Sequence, residues 1–364
     1  MKSKKIDRIF LISVAVLACG GFFIFTSASL GLLAQTKTPF GSVTAIQAIS
    51  LVFGFIMFYV ASKIPYKFLG KYSLYIFIAA IAVNCLLFIP SLTINHGGAG
   101  RWIDLHIFTF QPSELLKIAF IIYFSAWLAQ IKEKVATFKF GIMPYLVIVG
   151  ILAILLLAQS DTFTLGVIIV TGAAMLIASG AKWSHIIIVA LVGAMALGTV
   201  AYVRPYARQR VVTFLNPAAD PMGAGYQIQQ SLIAVGSGGL IGRGYGQSVQ
   251  KFGYLPQPID DSIFAVQAEE FGFVGSVVLI GIFLLFVFRS FKIAVRAPDQ
   301  WSRMYVLGLS TLILVESYTN IAAMLGLVPL SGKPLLFVSH GGTALIIILA
   351  AVGVIANISK FKKK

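Results

Sequence analysis

Acids, cysteine and histidine are scarce in this chain: of 364 residues, twelve are Asp or Glu, two are Cys and four are His. Two cysteines cannot frame a disulfide scaffold. Cys19 and Cys85 lie in apolar stretches, as packing residues would, and neither stands at metal-ligand spacing from a His or an acid, so no metal site is expected. Charged residues of all kinds make up 11% of the chain against 59% hydrophobic, which excludes a soluble globule. A fixed-period repeat and a low-complexity linker are also missing. The net charge of +16 invites a nucleic-acid reading, but the distribution of the cations argues against it.

What is present is a succession of long apolar runs, with a mean hydropathy of +0.93. A helix crossing the hydrocarbon core needs about 20 mostly apolar residues, and its backbone polar groups must be satisfied within the segment. Such segments fall near 9–33, 44–62, 72–90, 112–129, 142–158, 162–179, 185–203, 264–288, 304–328 and 342–358. The expected fold is all-α: a polytopic integral membrane protein of about ten transmembrane helices, forming one membrane domain over residues 1–364. The first run follows "MKSKKIDR" but is too long for a signal peptide and has no clear cleavage pattern, so it reads as retained. Lys and Arg concentrate in the loops that are inside if the N-terminus is cytoplasmic, including Lys63, Lys67, Lys71, Arg289, Lys292 and Arg296. Both termini are then cytoplasmic. The excess positive charge is mostly this bias, leaving Lys37, Arg101, Arg204, Arg208, Arg210, Arg243, Lys251 and Lys333 as outside cations that need a reason.

One outside connection, about 204–263 between the seventh and eighth helices, is too long for a simple turn. A loop of this length is functional or disordered, and its Gly, Tyr, Phe, Leu and Ile do not suit disorder. "RPYARQRVVTFLNP" predicts a short basic helix ended by Asn216-Pro217, and "GYQIQQSLIAVG" a second, amphipathic one. The glycines of "GSGGLIGRGYGQS" permit positive φ, which suits either plain turns or backbone N–H groups brought close to a ligand. This is no nucleotide loop, because no Gly-Lys-Ser/Thr step follows.

Ionisable residues at membrane depth form a second clue, since a charge facing lipid costs about 2.5 kcal/mol or more. Glu114 and Lys117, three apart on one helical face, suit either an ion pair that holds the bundle or a polar cavity open to the outside. Glu269, Glu270 and Glu316 raise the same alternatives. In "GYLPQPIDDSIFAVQAEE" (253–270), one of the adjacent aspartates has a simple explanation as a helix-entry acid. The other, near Arg243 and Lys251 in sequence, suits a carboxylate at the rim of a cationic site.

These residues carry a resemblance over nearly the whole chain to the SEDS family (FtsW, RodA and SpoVE) of peptidoglycan glycosyltransferases. It rests on "GRWIDLHIFTFQPSELLK", "AQSDTFTLG", "FLNPAADPMGAGYQIQQSLIAVGSGGLIGRGYGQSVQKFGYLP", "IFAVQAEEFGFVG" and "NIAAMLGLVPLSGKPLLFVSHGG", in the family's order. The stretch from "QSLIAVGSGG" to "GQSVQKFGYLP" looks more like the family's division members than its elongation members. Where the family reads Glu-x-His-Thr-Asp-Phe-Ile-Phe-Ala, the chain has "QPIDDSIFA", which aligns the family's catalytic aspartate with Asp261. It departs from the pattern at Gln257, Ile259, Asp260 and Ser262, at His340 where Tyr is usual, at Glu316 where Gln is usual, and at Gly100 and Ser160-Asp161-Thr162.

The resemblance implies polymerisation of lipid II, an undecaprenyl-pyrophosphate-linked disaccharide pentapeptide, into β-1,4 glycan at the outer face of the bacterial cytoplasmic membrane, in division or shape maintenance. Asp261 is then the general base. Arg101, Lys117, Arg243 and Lys251 are the candidates for stabilising the pyrophosphate, and Glu114, Ser248 and His340 complete the expected substrate-binding set. Either these cations alone or a divalent cation, Mg2+ or Mn2+, would neutralise the leaving group. A class B penicillin-binding transpeptidase and other divisome membrane proteins are the implied partners, and nucleic acid is not one. Ser331 in "PLSGKP" has no Lys three residues on and reads as a turn. A lipid II flippase and a non-enzymatic scaffold are the alternatives.

Overall fold

A computed structural model describes residues 6–34, 40–96, 99–104, 109–203, 205–217 and 223–361. Its helices are α1 (Arg8–Ser29), α2 (Phe40–Lys63), α3 (Tyr66–Lys71), α4 (Ser73–Cys85), α5 (Pro112–Ile131), α6 (Met143–Ala158), α7 (Thr162–Ser179), α8 (Trp183–Val203), α9 (Pro205–Leu215), α10 (Ala224–Ser237), α11 (Ile263–Val295), α12 (Gln300–Met324) and α13 (Gly342–Ser359). Eight helices among the described residues are long and apolar enough to cross a membrane, and the shorter apolar helices Ser73–Phe88 and Trp183–Ala196 coincide with the other two predicted spans. The chain is an integral membrane helix bundle.

Burial differs sharply among the spans. In the most apolar window of α5, α12 and α13, 67% of the residues are buried, against 17% for α2. The first three therefore form the centre, with α12 touching α5, α7, α10, α11 and α13. Helix α2 packs chiefly on α13 and presents Val52, Phe53, Ile56 and Tyr59 outward, where lipid is the matching solvent. Lipid supplies no hydrophobic force between helices, so close backbone approach matters. At Gly353 a Cβ would collide with the Phe58 carbonyl of α2.

The ends are sorted onto two faces. Asp7 caps α1 by accepting from the Phe10 amide (3.1 Å), pairs with Arg289 near the end of α11 (3.1 Å), and donates its own N–H to Ser359 Oγ at the end of α13 (3.3 Å). The Tyr66 hydroxyl donates to Asp299 at 2.8 Å, and Asn357 donates to the Ser62 carbonyl at 2.7 Å. The start of α1 and the end of α13 thus lie on one face. On the opposite face a small antiparallel sheet, β1 (Thr93–His96), β2 (Ala99–Asp104) and β3 (Thr109–Phe110), joins α4 to α5; only a connection was expected there.

The long connection contains both expected helices, α9 and α10. After α10 the glycine-rich turn runs against α11, which at 33 residues exceeds the span a bilayer needs and is broken at Gly272 (φ 64°, ψ −162°). The break frees carbonyls of α11, and the turn's amides take them. Arg243 N–H donates to the Glu269 carbonyl (3.0 Å) and Gly244 N–H to that of Glu270 (2.9 Å), while Phe273 and Val274 donate to Gly239 and Leu240 (2.9 and 3.0 Å). A Cβ at Gly242 would collide with the Glu270 carbonyl. Glycine is therefore required where two backbones meet, and these two amides bond α11 instead of a ligand.

Cys19 and Cys85 are exposed on the outside of the bundle, a correction to the packing role expected of them. A thiol is apolar enough to face hydrocarbon, so an apolar segment does not distinguish core from lipid contact.

Candidate functional site

Asp261 lies just before α11, in a turn whose backbone is fastened from outside. The carbonyls of three consecutive residues each have their own donor. Ile259 accepts from the His340 amide (2.8 Å), Asp260 from Ser339 Oγ (2.5 Å) and Asp261 from Asn320 Nδ2 of α12 (2.8 Å). The Asp261 side chain is left out of this clamp. It is 5% exposed, and its Oδ1 has no hydrogen-bond partner among the described residues. Burial is the main influence on its ionisation. The Gln227 amide of α10 and the Arg210 guanidinium of α9 oppose the upward push, the neighbouring Asp260 adds to it, and the carboxyl ends at about 6. An acid poised there can accept a proton near neutral pH and release it again.

The two helices of the long loop wall this turn. Gln227 Nε2 donates to Ser262 Oγ at 2.9 Å, and Arg210 Nη1 donates to the carbonyls of Leu330 and Ser331, 2.7 Å each. The 330–333 turn carries Lys333, whose carbonyl accepts the second proton of Asn320 Nδ2 at 2.8 Å. Ser331 Oγ accepts from the Lys333 amide at 3.3 Å, the turn role expected of it.

Lys333 reaches a buried ionic centre. Its Nζ pairs with Asp161 Oδ2 at 3.0 Å, and Ser113 Oγ at the start of α5 donates to the same oxygen at 3.1 Å. Asp161 also caps α7 by accepting from the Thr164 amide at 3.4 Å, and it accepts from the Thr164 hydroxyl at 2.8 Å. Burial alone would raise this acid, but the Lys333 ammonium, followed by the Arg101 guanidinium, holds it well below the usual carboxylate range. Arg101 donates to the carbonyls of Ser160 and, at 3.3 Å, Gln159. One helical turn along α12 from Asn320, Glu316 accepts from Lys117, which also pairs with Glu114 at 2.9 Å. The hydrogen-bond path runs from the Asp261 carbonyl through Asn320 and Lys333 to Asp161.

The remaining predicted residues form a separate cluster. Lys251 is fully buried and pairs with Glu270 (2.7 Å) while donating to Ser27 of α1 (3.0 Å). Ser248 Oγ donates to Glu269 at 2.6 Å, and Arg243 Nε lies 3.3 Å from the same carboxylate. Glu269 accepts as well from the amides of Val249 (3.1 Å) and Gln250 (3.3 Å). Arg243, Ser248 and Lys251 therefore anchor the glycine turn to α1 and α11. Among the described residues no hydrogen bond or ion pair joins them to Asp261.

Asp260 differs from its expected role. The cap position of α11 is Ser262, and the Asp260 side chain turns instead to His340, with Oδ1 3.3 Å from Nδ1. Two departures from the family pattern thus meet in space. Arg204 and Lys37 lie outside the described residues. Sequence reasoning gave no site role to Asn320, Gln227, Arg210, Lys333 or Asp161. Arg210 and Lys333, both outside cations in need of a reason, carried the clearest signals among them.

Residues 7–364 match the family model described as "Cell cycle protein" (FTSW_RODA_SPOVE). The chain belongs to this family. A Geobacter protein (strain M18) named "Probable peptidoglycan glycosyltransferase FtsW" is 36% identical, covering 97% of this chain and 96% of its own length. "Stage V sporulation protein E" of Bacillus subtilis is 37% identical over 76% of each chain. Among solved structures, one reported under "Structural coordination of polymerization and crosslinking by a peptidoglycan synthase complex" aligns with TM-score 0.81 over 97% of both chains at 23% identity. Rod shape determining protein RodA of Thermus thermophilus aligns with TM-score 0.69, also at 23% identity, covering 97% of this chain and 96% of its own. This FTSW_RODA_SPOVE member therefore has the architecture its sequence motifs imply.

Proposed function

We propose that this protein polymerises lipid II into β-1,4 glycan at the outer face of the bacterial cytoplasmic membrane, in division or shape maintenance. The observation that carries the reading is Asp261: a buried carboxylate held by its backbone, with one oxygen uncommitted among the described residues and its proton affinity raised to about 6. The names of the Geobacter and Bacillus relatives support the same reaction class.

In this reaction the acceptor's 4-hydroxyl oxygen attacks the anomeric carbon of the donor, with inversion. The carbon–oxygen bond to the lipid pyrophosphate breaks as the new glycosidic bond forms. Asp261 takes the hydroxyl proton, and the pyrophosphate leaves with the bonding pair. A positioned base of this kind contributes about 10²- to 10⁴-fold. Arg101, Lys333 and Arg210 are the cations grouped around this end with Asp161, Asp260 and Asp261, and they are the groups that would meet a developing phosphate charge. Among the described residues no three His, Cys, Asp or Glu side chains converge. A divalent cation on a pyrophosphate needs only one or two carboxylates beside the phosphates, so Mg2+ or Mn2+ stays the alternative to the side-chain cations, and no step is assigned to either.

The face carrying Asp261 is the outer one in this reading, which makes both termini cytoplasmic, in keeping with the Lys and Arg of the opposite loops. A class B penicillin-binding transpeptidase is the proposed partner, a reading supported by the solved structure reported as coordinating polymerization and crosslinking in a peptidoglycan synthase complex. The test is purified protein with that partner and labelled lipid II: polymer forms with wild type and falls at least a hundredfold with Asp261→Ala. Undiminished polymer from Asp261→Ala would remove the base, and translocation in vesicles without any polymer would make the protein a carrier.

A further inference from the structure

We propose that His340 and Asp260 form a charge pair that sets the protonation of Asp261, so that the two act on the base as positioning residues. The proposal rests on the glycosyltransferase reading for its consequence but not for its test. Asp260 is adjacent to Asp261 in the chain, and its carboxylate meets His340 Nδ1 at 3.3 Å. Their side chains are 44% and 40% exposed, so water and protons reach the pair while Asp261 beside it stays buried.

The imidazole is not free to wander. Its backbone N–H is bonded to the Ile259 carbonyl, and the preceding Ser339 hydroxyl to that of Asp260. Gln47 of α2 donates to the Ser339 carbonyl at 3.2 Å and accepts from the Gly341 amide at 3.5 Å. The Phe25 ring of α1 stacks on the imidazole with centroids 5.9 Å apart and planes 15° from parallel. Three elements therefore place one titratable ring beside one carboxylate, and the same clamp that fixes the base fixes its neighbour.

The charged groups that face these residues are few. His340 faces Asp260. Asp261 is influenced by Asp260 and by Arg210 of α9, with the uncharged Gln227 amide of α10 as a hydrogen-bonding neighbour, while Lys333 shares only its carbonyl with the Asn320 clamp. A like charge beside a carboxyl disfavours ionisation, and a cation beside that like charge cancels part of the effect. Asp260 alone makes Asp261 a stronger base. A protonated His340 weakens it, so protonation of the exposed ring attenuates the buried base in the next element.

The test reads Asp261 directly, without lipid II. Carbodiimides react with the protonated carboxyl, so labelling of the Asp261 peptide in detergent-solubilised full-length protein, quantified by mass spectrometry across pH, gives a midpoint; Asp261→Asn identifies the signal. Asp260→Asn is expected to lower the midpoint by about half a unit or more, and His340→Gln to raise it. The double variant is expected to lie close to Asp260→Asn, because His340 acts chiefly through Asp260. Midpoints that stay put in both single variants overturn the proposal. So does a fall in melting temperature without a midpoint shift, which is all that loop stitching predicts. Asp260→Ser and His340→Asn serve as second variants if either first choice fails to fold. Failure of wild type to polymerise lipid II would overturn the reaction and leave the labelling result standing.

Discussion

Asn320 donates from one amide nitrogen to the carbonyl of Asp261 and to that of Lys333, at 2.8 Å in each case. A single side chain of α12 thus ties the turn bearing the base to the turn bearing the buried ammonium of Lys333. The base is gripped by its backbone, and its carboxylate stays available.

Replacing Asn320 tests that grip. Asn320→Ala leaves two buried carbonyls without this donor, a cost of about 1–3 kcal/mol each. Polymerisation is expected to fall at least tenfold through kcat, with KM little changed, and the melting temperature to drop. Turnover equal to wild type would show that the clamp serves stability alone.

The pH dependence of the reaction follows from Asp261. The base works when ionised, and burial raises its carboxyl to about 6. Activity is therefore expected to rise with pH through that region and to be lost below it. A rate profile flat from pH 5 to 8 would exclude Asp261 as the group that titrates.

Lys117 is shared by two buried glutamates, Glu114 and Glu316. Removing it as Lys117→Met strands both carboxylates, and breaking a buried pair in this way costs about 3–5 kcal/mol. Glu316→Gln is expected to be milder, since Lys117 keeps Glu114. Thermal unfolding of the two variants in the same detergent checks the order.

Gly242 and Gly253 both have positive φ, 84° and 95°, but only at Gly242 would a Cβ meet backbone. Backbone strain in this region costs about 1–3 kcal/mol. Gly253→Ala is expected to show that cost and Gly242→Ala a larger one, with faster hydrogen exchange in residues 238–252. Equal melting temperatures would deny the close approach to α11.

Much of the bundle was legible in the chain. The ten apolar runs correspond to helices, and so do "RPYARQRVVTFLNP" and "GYQIQQSLIAVG", because helix formation reads local composition and period. Less visible was what the helices do to one another. Lys251 and Arg243 stand near Asp261 in sequence, yet they bond the carboxylates beyond the next turn of chain, because Gly272 breaks α11 and folds the glycine turn back along it. Asp260 had a cap role available on local grounds and was drawn instead to His340, a partner in a turn that no local pattern connects with it.

By itself the sequence determined that the chain spans a membrane, where its spans lie, which family it belongs to and which aspartate to suspect. These depend on apolar length, loop charge and motif order, all of which are properties of neighbours along the chain. Only the tertiary structure decided which cations accompany that aspartate and what holds it. In a low-dielectric bundle each buried charge must take the partner that packing places within reach, and packing also brings an amide from 59 residues away to the Asp261 backbone carbonyl, leaving the carboxylate out of that grip.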